Sequence, residues 1–66
     1  MLIIVNGREE QIAQGSALAE YIRSKDLASG EFIYILNEML IERERLENTI
    51  LKERDRLEVL KFVGGG

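Results

Sequence analysis

The dipeptide Asn6-Gly7 directly follows the run Leu2-Ile3-Ile4-Val5, and no other feature restricts the fold so tightly. A β-branched apolar run suits a strand. Asn-Gly supplies two adjacent residues that accept positive φ, as a two-residue type I′ hairpin turn demands. The chain therefore opens with a hairpin whose returning strand covers Arg8 to Ala13, with Ile12 as its main apolar anchor and polar residues on a solvated face. Met1 to Val5 is too short to cross a membrane and has no basic residue before it. It reads as neither signal peptide nor membrane anchor, and the expected location is cytoplasmic.

Gly15 breaks the second strand, and Ser16 is placed to cap a helix running from about Ala17 to Lys25. Leu18, Tyr21 and Ile22 fall at i, i+3 and i+4 and form one apolar stripe, so the helix lies on a sheet. Leu27 adds to the core beyond the helix end. After the loop Ala28-Ser29-Gly30, the run Phe32-Ile33-Tyr34-Ile35-Leu36 reads as a central strand covered on both faces. The stretch from Asn37 to Arg56 admits one long helix, because Leu46 and Ile50 stand at i, i+4. The preferred reading is a short strand Met39-Leu40-Ile41 after an Asn37-Glu38 turn, then a helical turn from Arg43 to Asn48, with Leu46 and Ile50 tucked inward. Leu57 to Val63 is the last strand; if Leu57 and Val59 point inward, Leu60 and Phe62 point outward. The order is β-β-α-β-(β)-turn-β, an α+β fold of the β-grasp, ubiquitin-like kind: a mixed four- to five-stranded sheet with one crossing helix and a short helical turn.

A chain of 66 residues builds one domain, here expected to be residues 1–63 with 64–66 as a mobile glycine tail. Apolar residues make up 45% and charged residues of both signs 32%, which argues against a disordered or membrane-spanning chain. Cys and His are both absent, so neither a disulfide nor a Cys/His metal site can form, and the commonest general base and strongest nucleophile are missing. An enzyme would have to run on Asp, Glu, Lys or Tyr in a domain too small for a deep pocket. The net charge of −3 repels a phosphate backbone, so neither nucleic acid nor membrane is expected as a partner. The charges between 42 and 58 read as a solvated surface with ion pairs worth about 0.2–1 kcal/mol each. Tyr21 and Tyr34 read as half-buried core residues with wet hydroxyls.

Four segments resemble a known family: Ile3-Ile4-Val5-Asn6-Gly7, Gly15-Ser16-Ala17-Leu18-Ala19, Leu36-Asn37-Glu38 through Ile41, and Asp55 to Gly66 ending Val63-Gly64-Gly65-Gly66. The chain is similar to the sulfur carrier proteins of thiamin biosynthesis, the ThiS family. It departs from the family pattern at Arg54, where a Gly is common, and near Leu46, where an aromatic residue is frequent. The resemblance implies a cycle worked by partners. An ATP-dependent adenylating enzyme of the ThiF type activates the Gly66 carboxylate, sulfur from a cysteine desulfurase replaces AMP, and the thiocarboxylate donates sulfur to a thiazole synthase of the ThiG type. The chain would bind no cofactor, and the ATP would be held by the activating partner.

The residues fit that chemistry. A carboxylate is a poor electrophile and must become a mixed anhydride before sulfur can enter, yet the sequence has no Gly-x-x-x-x-Gly-Lys-Ser/Thr loop for phosphates. Gly64, Gly65 and Gly66, lacking Cβ, suit threading into a narrow site. Leu60 and Phe62, with Val63, are the candidate docking patch, followed by Arg8, Arg54 and Arg56. Three readings stay open: Gly64-Gly65-Gly66 as a frayed end or expression remnant, a molybdopterin or other sulfur pathway as client, and an interaction module that never uses its terminus.

Overall fold

The computed structural model describes residues 1–62. Val63, expected at the end of the last strand and in the docking patch, and the expected tail Gly64, Gly65 and Gly66 lie outside the described residues.

Strands β1 (Leu2–Val5) and β2 (Arg8–Gln11) pair antiparallel from Leu2 opposite Gln11 to Val5 opposite Arg8. Asn6 and Gly7 hold φ of 50° and 82°, the left-handed pair that the turn requires. β2 ends two residues earlier than the sequence suggested, but backbone bonds between Met1 and Ile12 continue the hairpin: Ile12 N–H donates to Met1 C=O at 2.9 Å, and the Met1 ammonium donates to Ile12 C=O at 2.7 Å.

Helix α1 spans Leu18–Ser24 and buries Leu18, Ala19, Tyr21 and Ile22. Ser16 does not cap it, contrary to expectation. Its hydroxyl donates to the Ala13 carbonyl at 2.7 Å, and Ala17 occupies the cap position without a side-chain acceptor. A tertiary strand-like contact takes over: Leu18 N–H donates to Thr49 C=O at 2.7 Å, and Leu51 N–H donates to Ser16 C=O at 2.9 Å. The Glu20 carboxylate also accepts from Ala17 N–H at 2.8 Å, which is half of a capping box. That same contact corrects the expectation for Ile50. Bridged to Ala17 in extended form, the segment alternates, so Leu51 is buried and Ile50 is exposed.

Strand β3 (Phe32–Leu36) turns through Asn37 and Glu38, at φ 50° and 72°, into β4 (Met39–Ile41). A 3₁₀ helix over Arg43–Asn48 then carries Leu46 into the core, and β5 (Arg56–Lys61) closes the sheet. The preferred reading of 37–56 therefore holds over the single long helix. The five described strands lie in the order β2-β1-β5-β3-β4, with β5 parallel to β1 and antiparallel to β3. This is the expected β-grasp arrangement.

Ile3, Val5, Tyr34, Leu57 and Val59 form one core with the apolar stripe of α1, Leu46 and Leu51. All of these lie on one face of the sheet. The expectation that β3 is covered on both faces fails for that reason: Ile33, on the opposite face, is exposed. The tyrosines are also deeper than expected. Both are buried, and neither hydroxyl is left to water: Tyr21 donates to Glu10 Oε1 at 2.9 Å and Tyr34 to the Leu27 carbonyl at 2.6 Å. Within the charged stretch 42–58, Asp55 is buried, with its carboxylate accepting from Asn37 Nδ2 at 2.9 Å and from Lys52 N–H at 2.7 Å. Partnered burial of this kind costs far less than an orphaned charge.

Two predictions follow from local geometry. Arg54, where the resembling family commonly has glycine, sits at φ 67°, a conformation costing a side-chain-bearing residue roughly 1–2 kcal/mol. Since glycine gives back part of that in chain entropy, Arg54→Gly should raise the unfolding free energy by about 0.5–1 kcal/mol in urea titration. Burial, then the hydrogen bond to Glu10 and its charge, push the Tyr21 phenol well above its ordinary value of 10.0. The folded state thus keeps a proton that the unfolded chain releases. The resulting stability is complete below pH 10 and is lost as pH rises above it. Tyr21→Phe should cost about 0.5–1.5 kcal/mol at neutral pH and make the alkaline loss of stability shallower than in the parent.

Candidate functional site

The alternation of β5 builds the site. Leu57 and Val59 point into the core, while Leu60 and Phe62 face away from it with 44% and 63% of their surface exposed, as their parity along the strand requires. Leu60 stands directly opposite Ile33 on β3, and Ile35 stands opposite Leu40 on β4. An apolar band therefore crosses the uncovered face from Leu40 through Ile35, Ile33 and Leu60 to Phe62. Ile33, Leu40, Leu60 and Phe62 are all exposed. Such a contiguous exposed band on a small domain is a candidate surface for contact with another molecule.

Charged groups border the band. Glu58 sits opposite Ile35, and Arg56 on the same face pairs with Glu38 at 3.6 Å, both side chains open to water. Glu38, Arg56, Glu58 and Ile35 line a shallow depression of about 130 Å³, smaller than the roughly 300–1,000 Å³ of small-molecule sites. Among the described residues no group of three or more acidic side chains is placed to hold a metal ion. The face offers contact area, with no nucleophile and base held together on it.

Of the basic residues ranked after the patch, Arg56 alone shares this face. Arg8 stands opposite Val5, on the core side of the sheet, and Arg54 lies in the turn ahead of β5. The sequence pointed to Leu60 and Phe62 but missed Ile33 and Leu40. The Asn37-Glu38 hairpin carried the signal for Leu40, since a two-residue turn fixes Leu36 opposite Met39 and hence Ile35 opposite Leu40. Ile33 needed the β3–β5 register, which links segments far apart in the chain.

The described part of the chain ends at Phe62, the last member of this band. Phe62 N–H donates to the Glu31 carbonyl, and the candidate residues Val63, Gly64, Gly65 and Gly66 follow outside the described residues. No described helix is long and apolar enough to cross a membrane.

No curated protein matches the chain by sequence. The sequence profile of the ThiS family matches residues 3–66. The crystal structure of a thiamine biosynthesis protein (ThiS) from Geobacter metallireducens superposes with a TM-score of 0.87 at 30% identity, over 100% of both chains. The solution structure of a thiamine biosynthesis protein from the same organism superposes with a TM-score of 0.80 at 32% identity, over 100% of this chain and 88% of that one. A β-grasp body that superposes along its whole length and a family match reaching the last glycine agree: the chain belongs to the ThiS family, small sulfur carriers of thiamin biosynthesis rather than catalysts.

Proposed function

We propose that the reacting group of this carrier is the C-terminal carboxylate of Gly66, and that partners supply all of the catalysis. The reading rests above all on one observation: β5 passes from the apolar band straight into Val63-Gly64-Gly65-Gly66, in a chain whose family match extends to residue 66.

Sulfur cannot displace oxygen from a free carboxylate, because the leaving group would be oxide or hydroxide. Attack of a Gly66 carboxylate oxygen on the α-phosphorus of ATP, with loss of pyrophosphate, makes an acyl adenylate whose leaving group is AMP. The terminal sulfur of a persulfide charged by a cysteine desulfurase then adds at the acyl carbon and AMP departs, leaving an acyl disulfide. A second thiol of the sulfur donor attacks the donor's own sulfur in that bond, releasing the thiocarboxylate and closing a disulfide on the donor. An adenylating enzyme of the ThiF type holds the ATP, so this chain needs no cofactor. A thiazole synthase of the ThiG type takes the sulfur onto its substrate, and an oxygen from water or from that substrate's carbonyl restores the carboxylate. Dependence on ATP puts the cycle in the cytoplasm. Gly64 and Gly65 present no side chain to the walls of a narrow partner site.

The apolar band is the docking surface in this reading. Leu60 and Phe62 form its tail-proximal half, with Val63 next in sequence, and Ile33 and Leu40 extend it across β3 and β4. Core-facing Leu57 and Val59 hold the strand so that these side chains stay outward.

Intact mass after incubation with ATP, cysteine, a cysteine desulfurase and a ThiF-type enzyme should rise by about 16 Da, one oxygen replaced by sulfur on an activated acyl group. One residue added after Gly66 should abolish the gain. No gain with partners competent on another carrier, or a gain in the extended variant, would overturn the reading in favour of a module that binds through its sheet. Leu60→Ala with Phe62→Ala should weaken binding to the adenylating enzyme at least tenfold, as removal of central apolar anchors does, with the melting temperature within about 2 °C of the parent. Unchanged affinity in the folded double variant would remove the band from the interface.

A further inference from the structure

β5 is flanked unequally along its length. On the β3 side its pairing runs through Lys61, opposite Phe32, and on to Phe62 N–H, which bonds Glu31. On the other side β1 pairs only as far as Val5 opposite Leu57, because the chain then turns away through Asn6 and Gly7 at φ 50° and 82°. The turn leaves Val59 without a backbone partner on that edge, and the Asn6 side chain supplies one. Its Oδ1 accepts from Val59 N–H at 2.9 Å, and its Nδ2 donates to Val59 C=O at 3.4 Å. One side-chain amide thus stands in for the residue that a longer β1 would have placed there. Among the described residues it is the last group of the hairpin to bond β5; from Leu60 onward the strand is held from the β3 side alone.

A parallel arrangement exists at the start of β5. Asn37, also at φ 50°, accepts from Arg56 N–H through Oδ1 at 2.9 Å and donates to Asp55 through Nδ2. Both asparagines tie the same strand from a hairpin turn, one at its entry and one near its exit.

We propose that Asn6 is a positioning residue for the reaction at Gly66: its two-point bond to Val59 fixes the course of β5 towards Phe62, from which the chain continues in sequence to the terminal carboxylate. This rests on the carrier reading above. In the docking band Ile33, Ile35 and Leu40 lie on β3 and β4, and Leu60 and Phe62 keep their ties to β3 through Ile33 and Glu31, so the band survives loss of the clasp. What is lost is the hold on Val59 from the hairpin side, so the strand that presents the terminal carboxylate is no longer fixed on both edges there. Misplacement of a reacting group by about 1 Å can cost as much as 100-fold in rate, and it appears in kcat rather than in affinity.

Asn6→Gly removes the clasp without backbone strain, since glycine accepts positive φ. Asn37→Gly removes the matching bond at the strand's entry and serves as the control for stability. With a ThiF-type enzyme, adenylate formation on the Asn6→Gly protein, followed by pyrophosphate release, should show kcat lowered about tenfold and KM within about twofold of the parent. Asn6→Asp, which keeps the Oδ1 acceptor and tolerates this φ, should restore most of kcat. Asn37→Gly should lower the melting temperature and leave kcat within twofold. Equal kcat in Asn6→Gly and parent, or equal losses in Asn6→Gly and Asn37→Gly, would overturn the proposal. Amide exchange on the free protein separates this from the carrier reading: Val59 should exchange at least tenfold faster in Asn6→Gly while the core amide of Leu57 does not. Unchanged exchange at Val59 would sink the clasp even if the parent accepts sulfur, whereas faster exchange in a protein that no partner adenylates would sink the carrier reading and leave the clasp intact.

Discussion

Strand β5 is bonded along both edges, parallel to β1 and antiparallel to β3, and the rest of the molecule is organised by that placement. Parallel neighbours cannot be joined by a tight turn, so β2, α1, β3, β4 and the 3₁₀ helix are all laid down before the last strand enters between the first and third. The crossing places Leu18, Tyr21 and Ile22 of α1 over Ile3, Val5, Leu57 and Val59. With Cys absent, no covalent staple supports this arrangement, and the pairing of first and last strands closes the core on packing alone.

Short strands leave short pairings, and side chains complete them. β1 gives β5 only two paired positions; the Asn6 amide adds Val59, Asp55 C=O accepts from Ile4 N–H at 2.9 Å, and Leu57 C=O accepts from Asn6 N–H at 2.9 Å. On the other side Asn37 joins Arg56 to the Asp55 carboxylate. Among the described residues no buried side-chain nitrogen or oxygen is left without a partner, as a domain with little apolar area to spare requires, because each orphan would cost about 1–3 kcal/mol.

Those parts of the fold governed by neighbours in sequence were legible from it. Asn6-Gly7 and Asn37-Glu38 announced their hairpins, Phe32–Leu36 and Met39–Ile41 emerged with the expected bounds, and the parity of Leu57, Val59, Leu60 and Phe62 followed from period two. Those governed by distant partners were not. Ser16 has the chemistry of a cap, but Thr49 already serves the Leu18 N–H; Ile50 looks like the inward residue of a helix, but the Ala17 bridge makes the segment extended. Apolar content made β3 look doubly covered, because nothing local says that the helices lie on one face. Half of the exposed apolar band was lost with that reading, since Ile33 joins Leu60 only through the β3–β5 register. The proposal for Gly66 draws on a family likeness, as no local pattern distinguishes a reactive terminus from an ordinary one.

An uncovered apolar face and two open sheet edges are a hazard in a chain of this size, since either can pair with copies of itself. The edges are defended differently. β2 reads Arg8-Glu9-Glu10-Gln11 and presents charge along its length, while β4 carries Met39-Leu40-Ile41 but is only three residues long, too short to template a stable strand addition. The face is bordered by Glu38, Arg56 and Glu58, and the net charge of −3 adds repulsion between copies. None of these devices covers the band itself. A stray self-associating surface would be expected to carry a charge within it, as edge-protecting substitutions do. Here Ile33, Leu40, Leu60 and Phe62 stay apolar while their surroundings are charged, which is the composition of an interface core and its rim.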